Sequence, residues 1–308
     1  MSYRYLFGPV PSRRLGLSLG VDLLPPKTCS LNCVYCECGG TTHLAIRRGE
    51  LVPVADVCAE LSSRLYESPL PDWVTFAGSG EPTLHTGLGD VADHIKKIAP
   101  DRRIAVLTNG TLMDDPSVRA ACKKADLVAV SVDAASPEAF SLINRPHPGL
   151  DLARIFSGIE TFRREYAGIL WAEVFLVPGI NDSDEELLLI RDALFRIAPD
   201  EIQVNCLDRP GAEDWVGRPS EEGLARAAGI LNAKMIGRAR GRADNPPKAA
   251  DPTALILEAA KRRPLTEDDV SRVISASVQD SGLLLEGLVK KGLLVAKKGE
   301  RGVFYGVS

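Results

Sequence analysis

The sequence contains no long hydrophobic run. None of its 308 residues lies in a stretch that approaches the roughly 20 consecutive apolar residues needed to cross a bilayer. The first residues, MSYRYLFGPVPSRR, also lack the apolar centre of a secretory signal peptide. These two absences argue against a membrane protein of the helical kind, and we expect a cytoplasmic protein with no membrane partner.

A strong excess of charge of one sign is missing as well. The 41 Asp and Glu residues nearly balance the 37 Lys and Arg residues, and the formal net charge is -4. Residues 238–308 are mildly basic, with 13 Lys and Arg against 9 Asp and Glu. Because a dedicated nucleic-acid-binding domain usually has a pI above about 9, we expect any contact with nucleic acid to be local.

The seven cysteines are not spread in pairs, which argues against the disulfide scaffold of a secreted protein. Three of them, Cys29, Cys33 and Cys36, lie within the eight residues CSLNCVYC. One loop with these spacings can bring three thiolates to three corners of a cubane iron–sulfur cluster. Since [4Fe–4S] clusters that only transfer electrons use four cysteines, a three-cysteine site predicts that the fourth iron binds another molecule.

The other cysteines suit cluster binding less well. Cys38 is the obvious rival for a fourth ligand, but a single residue separates it from Cys36, which is tight for two corners of a cubane. Zinc is the main competing metal, although its sulfur sites usually combine two CxxC-type pairs and no second pair is present. Cys58 and Cys122 fall on predicted amphipathic helices, where a cysteine acts as a small apolar residue. Cys206 ends a predicted strand and is our candidate for a catalytic residue that contacts substrate.

Between residues 73 and 235, short apolar runs alternate with longer segments of helical period, which is typical of βα units and a parallel sheet. The predicted strands are Trp73–Gly78, Arg103–Leu107, Leu127–Val132, Ile169–Val177 and Glu201–Leu207, preceded by a first strand within Arg14–Leu24. Six βα units with right-handed crossovers fit either an open barrel or a doubly wound sheet. Periodicity alone does not distinguish these two α/β folds.

The βα pattern stops near residue 235, where the composition changes. We expect an α/β domain at residues 1–236, a linker rich in Gly, Pro, Ala and Arg at 237–251, and a small domain at 252–308. In the small domain, helices are predicted at Pro252–Arg262, Thr266–Ile274 and Val278–Lys291, followed by two apolar strands with a charged tip. This order predicts a winged-helix-like domain.

The cysteine loop after the first strand, with Tyr35 just before the third cysteine, resembles the signature of the radical S-adenosylmethionine (SAM) superfamily. In that superfamily the free iron chelates the amino and carboxylate groups of SAM. The reduced cluster then cleaves SAM to methionine and a 5′-deoxyadenosyl radical, which abstracts hydrogen from substrate. The resemblance covers roughly residues 14–235. It implies a partial (β/α)6 TIM-like barrel, a [4Fe–4S] cluster and SAM as cofactors, and an electron donor such as flavodoxin or ferredoxin.

Further motifs at successive predicted strand ends carry the same resemblance. After the second strand, Ser79, Gly80, Glu81 and Pro82 look like the superfamily's GGEP motif with serine in the first position. The motif implies that these residues contact the methionine part of SAM, with a carboxylate facing the ammonium group.

The third, fourth and fifth strand ends add weaker signals. Asn109 lies in a Thr-Asn-Gly turn that many members have at the equivalent point. Ser131 and Asp133 share a face, and the resemblance implies that they bind the ribose hydroxyls. The segment Val177–Asp182 resembles the loop that contacts adenine.

The leader FGPVPSRRLGLSLGVDLLPPKTC resembles stand-alone iron–sulfur oxidoreductases related to the wyosine-forming, tRNA-modifying radical SAM enzymes. Those enzymes carry additional N-terminal cysteines for a second cluster, whereas this chain has no cysteine before Cys29. The substrate therefore stays open among RNA, a peptide and a small molecule. Arg13, Arg14 and Lys27 either hold a phosphate or carboxylate of the substrate or are surface charges paired with acids such as Asp22.

The basic C-terminal region allows a second hypothesis. Lys297, Lys298 and Arg301 on the predicted wing could bind nucleic acid. The domain could instead bind a peptide or a partner protein, or serve packing alone. The alternative function is an iron–sulfur-dependent DNA-binding regulator, with the cluster as sensor and the winged helix as reader. The motif residues around the cluster favour the enzyme, because a sensor does not need them.

Overall fold

The computed structural model describes residues 3–67, 70–236, 251–262, 264–274, 278–299 and 302–307, so most of the predicted linker at 237–251 lies outside the described residues. The strands are β1 Leu6–Ser12, β2 Gly16–Val21, β3 Thr28–Cys29, β4 His43–Leu44, β5 Trp73–Phe76, β6 Arg103–Thr108, β7 Leu127–Ser131, β8 Ile169–Leu176, β9 Glu201–Cys206, β10 Lys234–Met235, β11 Val295–Gly299 and β12 Gly302–Gly306. The helices are α1 Val54–Arg64, α2 Leu88–Ile98, α3 Pro116–Cys122, α4 Pro137–Asn144, α5 Leu152–Glu165, α6 Asp184–Ile197, α7 Glu221–Leu231, α8 Pro252–Ala260, α9 Glu267–Ile274 and α10 Val278–Lys290, with a 3-10 turn at Pro82–Leu84.

One sheet organises the first 236 residues. Its strand order is β1-β2-β5-β6-β7-β8-β9-β10. Strand β1 is antiparallel to β2, and each later pair is parallel. The parallel strands follow in chain order, without the reversal of a doubly wound sheet. Because right-handed crossovers then place the helices on one side, the sheet follows the path of a partial barrel, which decides between the two folds left open above.

The two faces of the parallel strands carry different side chains, because neighbours along a strand alternate in direction. The helix-facing side holds the main hydrophobic core, which includes Phe76, Val106 and Val130. The interior side begins at the amino ends of the strands with a small apolar cluster made of Leu15, Trp73, Ala105, Leu127 and Ala129. Polar side chains follow above this cluster, so the carboxyl ends of the strands are where chemistry can take place.

Several helices begin at a side chain that accepts a hydrogen bond from the first turn. These N-caps are Asp115, Ser136, Asp151, Ser183, Ser220 and Asp251. Helix α4 runs from its cap to Asn144 and stops there because Arg145 adopts a left-handed conformation at φ +43°. None of the helices within the described ranges is long and apolar enough to cross a membrane.

Helices α8 to α10 and the antiparallel hairpin β11–β12 share a second, separate core that includes Ile256, Val270 and Leu285. These elements agree with the predicted order of three helices and a hairpin, while the winged-helix assignment and the domain boundaries stay predictions. Val10 of β1 packs against this core. The C-terminal unit therefore lies beside the edge strand of the sheet.

Candidate functional site

The loop that carries Cys29, Cys33 and Cys36 follows β2 and lies at the carboxyl edge of the parallel strands. Its two ends are tied together, because β3 pairs with β4 and the Ala45 amide donates to the Cys29 carbonyl at 2.9 Å. Within the loop, the Cys36 amide donates to the Cys33 carbonyl at 3.2 Å, and the Gly39 amide donates to the Cys36 carbonyl at 2.9 Å. The three cysteines therefore occupy one closed, turn-rich segment.

The thiols influence one another electrostatically. Burial raises the pKa of the Cys29 thiol to about 12, with the nearby Glu81 carboxylate as the second cause. Burial also raises the pKa of the Cys33 thiol, and the charges of Asp133, Cys29 and Cys36 add to this effect. Buried thiols of this kind are inert as free nucleophiles, but a metal that binds the thiolate removes the proton.

The chemistry of these donors fits an iron–sulfur cluster. Within the described ranges, no group of three His, Cys, Asp or Glu side chains is arranged to hold a single metal ion. A cubane makes a different demand, since each thiolate binds its own iron and the sulfurs stand apart around the cluster. Thiolates are the ligands that iron–sulfur clusters use, so the three cysteines suit a cluster better than a single ion.

Two side-chain amides point at the sulfurs of this loop. Asn109, in the turn after β6, donates to the Cys29 sulfur at 3.6 Å and to the Ser30 hydroxyl at 2.9 Å. Asn144, the last residue of α4, donates to the Cys33 sulfur at 3.3 Å. The sequence drew attention to Asn109 but not to Asn144, which lies at a helix end without any local motif.

Tyr35 fixes the middle of the loop to the barrel. Its ring stacks on Phe175 of β8 with centroids 3.8 Å apart, and its hydroxyl donates to Asp133 at 2.5 Å. Asp133 also accepts hydrogen bonds from the Asn144 side chain at 2.8 Å and from the Phe175 amide at 2.9 Å. Burial raises the pKa of Asp133 to about 6. Its ribose contact stays a prediction, and Oδ1, which accepts only the Phe175 amide among these bonds, has a further acceptor site.

The Gly-Ser-Gly segment after β5 packs tightly against its neighbours. A Cβ added to Gly78 would lie 2.2 Å from the Asp22 carboxylate carbon, and one added to Gly80 would lie 1.9 Å from the Thr28 carbonyl oxygen. Ser79 donates its amide and its hydroxyl to Asp22, at 3.2 and 3.0 Å. Only glycine allows the segment to approach the chain on both sides.

The Glu81 carboxylate is buried and surrounded by donors. It accepts from the Thr83 amide at 3.0 Å, the Thr83 hydroxyl at 2.6 Å, the Thr108 hydroxyl at 2.6 Å and the Asn109 amide at 2.7 Å. Three of these hydrogen bonds fall on Oε1 and one on Oε2, so Oε2 keeps an acceptor site. Glu81 ties the ends of β5 and β6 together, and the predicted contact with the methionine ammonium stays a prediction.

The remaining SAM-contact candidates lie at the same edge. Pro82 opens the 3-10 turn that Glu81 caps. Ser131 ends β7 and pairs in register with Glu173 of β8, so both side chains face the barrel interior. All the predicted cofactor residues therefore lie at or next to the carboxyl ends of β5 to β8.

The structure does not support a substrate contact by Cys206. Its side chain is buried in the main hydrophobic core, 6% exposed, on the helix-facing side of β9. Gln203 and Asn205 of the same strand bind the barrel-interior residues Arg14 and Arg13. Sequence spacing put Cys206 correctly at a strand end, but the strand alternation turns it away from the interior.

Cys38 lies beside the loop cysteines and contacts one of them. A hydrogen bond from its thiol lowers the pKa of the Cys36 thiol to about 7. The same thiol approaches two backbone carbonyls, of Arg262 at 3.0 Å and of Gly78 at 3.5 Å. These contacts place Cys38 between the loop and the C-terminal unit.

Two arginines of the β1–β2 turn reach across the barrel interior to residues of β8 and β9. Arg14, from the β1–β2 turn, forms an ion pair with Glu173 and donates to Gln203 at 3.0 Å. Arg13 donates to Asn205 at 3.4 Å. The pairing expected for Asp22 is different, because its partner is Arg262 and not an arginine of the leader.

The interior ion pair leads to a stability prediction. The Arg14 and Glu173 side chains are 18% and 20% exposed. We expect Glu173→Gln to lower the free energy of unfolding by about 2 kcal/mol, below the ~3–5 kcal/mol for a fully buried pair because some solvent reaches it. Urea unfolding of the cluster-free protein measures this loss. The matched control is Glu165→Gln, because the Glu165 side chain, which pairs with Arg119 and Lys123, is 35% exposed. An equal loss in the two variants would contradict the prediction.

Comparisons with known proteins agree with this geometry. The sequence model of the radical SAM superfamily matches residues 23–189, more than half of the chain. A UPF0026 protein of Methanocaldococcus jannaschii is 30% identical over 97% of this chain and 94% of its own length. A protein named GTPase Obg from Brachyspira hyodysenteriae is 38% identical over 74% of this chain, which spans only 33% of that relative.

A solved structure of TYW1 with a lysine-pyruvate adduct bound is similar to this chain in fold. The two structures match with a TM-score of 0.50 and 18% sequence identity. The match covers 73% of this chain and 75% of the TYW1 chain. The superfamily's cofactors, a [4Fe–4S] cluster and SAM, are those expected from the cysteine loop. With its barrel order, its three-cysteine loop and the family match in agreement, this chain belongs to the radical SAM superfamily.

Proposed function

We propose that the protein is a radical SAM enzyme that holds its [4Fe–4S] cluster on Cys29, Cys33 and Cys36. The observation that carries the proposal is the closed cysteine loop at the carboxyl edge of the barrel, with the amides of Asn109 and Asn144 directed at two of its sulfurs. When bound and reduced, the cluster supplies the electron that splits SAM into methionine and a 5′-deoxyadenosyl radical, which takes a hydrogen atom from the substrate.

The amides have a chemical role in this proposal. Each one donates an N–H to a sulfur that carries negative charge once the thiol is deprotonated. Hydrogen bonds to the sulfurs are among the factors that set the reduction potential of a cluster. Two carboxylates hold these residues in place. Glu81 accepts the backbone N–H of Asn109, and Asp133 accepts a side-chain N–H of Asn144. The barrel strands therefore fix the polarity around the cluster through two buried carboxylates.

The proposed SAM pocket lies along the same strand ends. The Ser79–Gly80 backbone and Glu81 border the place of the methionine group, and Ser131 lies at the end of β7 for the ribose. The segment 177–182 is rigid because Asn181 accepts from the Val177 amide at 2.7 Å and donates to the carbonyls of Asp133 and Phe175 at 2.7 and 2.8 Å. Such rigidity suits a segment whose backbone meets the adenine.

The substrate side of the site is the polar barrel interior. Arg14 pairs with Glu173 and donates to Gln203, whereas Arg13 donates to the uncharged side chain of Asn205. This environment supports a polar substrate with an anionic group, as the leader arginines suggested.

Anaerobic reconstitution with iron and sulfide tests the proposal. We expect about four irons per chain, the content of one [4Fe–4S] cluster, and release of 5′-deoxyadenosine and methionine from SAM after reduction by dithionite. The products are measured by chromatography and the iron by a colorimetric assay. A protein that binds iron but leaves SAM intact under these conditions would contradict the proposal.

Partners are part of the proposal as well. The chemistry needs a one-electron donor such as flavodoxin or ferredoxin, and the C-terminal unit offers a surface for RNA, a peptide or a protein. Lys297 of its hairpin binds Asp214 of the segment after β9 at 2.6 Å, so this cation is used within the chain. The DNA-binding regulator receives no support from the family match or the relatives. GTPase activity is not proposed, because the chain spans a third of the relative of that name.

A further inference from the structure

An arginine from the C-terminal unit reaches the loop that borders the proposed SAM pocket. Arg262 follows α8, and its Nε lies 3.3 Å from the Asp22 carboxylate. Both side chains are nearly covered, with 10% and 8% of their surface exposed. The guanidinium also lies over the Phe7 ring, 4.6 Å from its centroid. A C-terminal side chain thus forms a buried ion pair at the end of β2.

Asp22 connects this ion pair to the Gly-Ser-Gly segment. The oxygen that faces Arg262, Oδ2, also accepts the Ser79 amide at 3.2 Å and the Ser79 hydroxyl at 3.0 Å. Burial raises the pKa of Asp22, and the positive charge of Arg262 works against that effect. The guanidinium therefore favours the charged form of Asp22, which is the stronger acceptor for the two Ser79 hydrogen bonds.

The arginine is itself held in one orientation. Its Nη1 donates to the Glu258 carbonyl at 3.0 Å and to the Glu258 carboxylate at 3.2 Å, and its Nη2 donates to the Arg4 carbonyl at 3.4 Å. Its own carbonyl accepts the Cys38 thiol at 3.0 Å. The same residue therefore contacts the cysteine loop with its backbone and the Ser79 segment through its side chain.

Open space lies beside this contact between the two units. A cleft of about 640 Å³ opens beside it, lined among others by Leu24, Val52 and Lys261, with Asp22 and Ser79 also at its wall. Because space is open there, the Arg262 side chain bridges the units where their surfaces are apart. Removing the guanidinium takes from Asp22 its partner in the C-terminal unit, while its hydrogen bonds to Ser79 and Leu24 are left to orient the carboxylate.

We propose that Arg262 is a positioning residue for SAM: by orienting Asp22 it fixes the Ser79 amide and hydroxyl in the segment that receives the methionine group. Through this arginine, the C-terminal unit then contributes to the affinity of the barrel for SAM. The consequence for SAM binding rests on the proposed function, whereas the link from Arg262 through Asp22 to Ser79 does not.

The kinetic test uses the full-length reconstituted protein. Arg262→Gln is expected to raise the KM for SAM in 5′-deoxyadenosine formation about tenfold, the lower end of losses seen when outer partners of a site are removed. Its iron content and kcat should stay near those of the wild type, which separates positioning from a loss of the cluster. Arg262→Lys keeps the charge but lacks the planar guanidinium fork. Its KM for SAM should lie between those of the wild type and Arg262→Gln.

The structural test needs no cofactor. Hydrogen–deuterium exchange of the cluster-free protein is followed in the peptide that contains Ser79. If Arg262 positions Asp22, then Arg262→Gln speeds exchange of this peptide about tenfold, since its amide loses a well-placed acceptor. If the arginine only holds the two units together, exchange rises in α8 and α9 while the Ser79 peptide keeps its wild-type rate, and that result overturns the proposal.

Two further variants complete the design. Lys261→Gln is the matched control, because Lys261 adjoins Arg262 and binds the same Glu258 but is 55% exposed and has no hydrogen bond to Asp22. It should change neither KM nor exchange. If Arg262→Gln does not fold, Asp22→Asn takes its place, keeping an acceptor for Ser79 but no charge, and unchanged KM and exchange in that variant overturn the proposal. Failure of every protein to cleave SAM contradicts the proposed function, and the exchange result still decides the role of Arg262.

Discussion

Replacing Cys33 with alanine is expected to abolish both cluster binding and SAM cleavage. Its thiol lies in the closed loop between β3 and β4 and accepts a hydrogen bond from Asn144. With two thiolates left, a cubane has two irons without a protein ligand. We therefore expect iron to fall from about four per chain to below about one after reconstitution, with no detectable 5′-deoxyadenosine. Iron assay and the absorbance of the cluster measure the change.

Cysteines outside the loop provide the controls. Cys122→Ala removes a buried thiol of α3, and Cys38→Ala removes the thiol beside the loop. Both variants should keep about four irons, because neither thiol is assigned to the cluster. Loss of iron from Cys38→Ala would make it a ligand after all. Retention of a full cluster in Cys33→Ala would show that the loop assignment is wrong.

The second large effect is expected from Gly80→Ala. The added Cβ would stand 1.9 Å from the Thr28 carbonyl oxygen and 2.9 Å from the carbonyl carbon, both of them backbone atoms. The two chains must therefore separate, which breaks the hydrogen bond from the Glu81 amide to the Thr28 carbonyl at 3.1 Å. Since Thr28 precedes the first cluster cysteine, the segment and the cysteine loop both move.

We expect this substitution to lower the free energy of unfolding by about 2–3 kcal/mol, as other overpacked interiors do, and to remove measurable SAM binding. Urea unfolding of the cluster-free protein measures the loss of stability. Equilibrium dialysis of the reconstituted protein against SAM measures the loss of binding. Gly217→Ala is the control, because nothing lies within 4 Å of its added Cβ. A Gly80→Ala protein as stable and as active as Gly217→Ala would contradict the close approach seen here.

Local sequence signals predicted the barrel strands well. Apolar runs with βα spacing placed β5 to β9 within a few residues of their observed bounds. The strand β1 was harder to predict. It is an antiparallel edge strand at Leu6–Ser12, contains two prolines and shows no regular alternation of polar and apolar residues. Its neighbour β2 is shorter than predicted, at Gly16–Val21. Edge strands of this kind depend on a partner strand and therefore leave a weak local signal.

The cysteines of the proposed cluster site could be picked out from their spacing, whereas their surroundings could not. Cys29, Cys33 and Cys36 need only eight residues of sequence to be recognised. Asn144 meets Cys33 from a position 111 residues away, and Arg262 meets Asp22 across 240 residues. Such pairs depend on how distant elements pack, so no local pattern points to them.

The sequence by itself determined the chemistry of the centre and the order of the elements, because thiol spacing and hydrophobic periodicity are local properties of the chain. Only the tertiary structure decided which way each strand-end side chain faces, turning Cys206 into the core while Ser131 faces the interior. It also decided that Glu81 and Asp133 each accept hydrogen bonds from several donors, and that a C-terminal arginine pairs with Asp22, the residue that binds Ser79. These facts depend on strand alternation and on contacts between distant segments, which exist only once the sheet has curled and the two units have met.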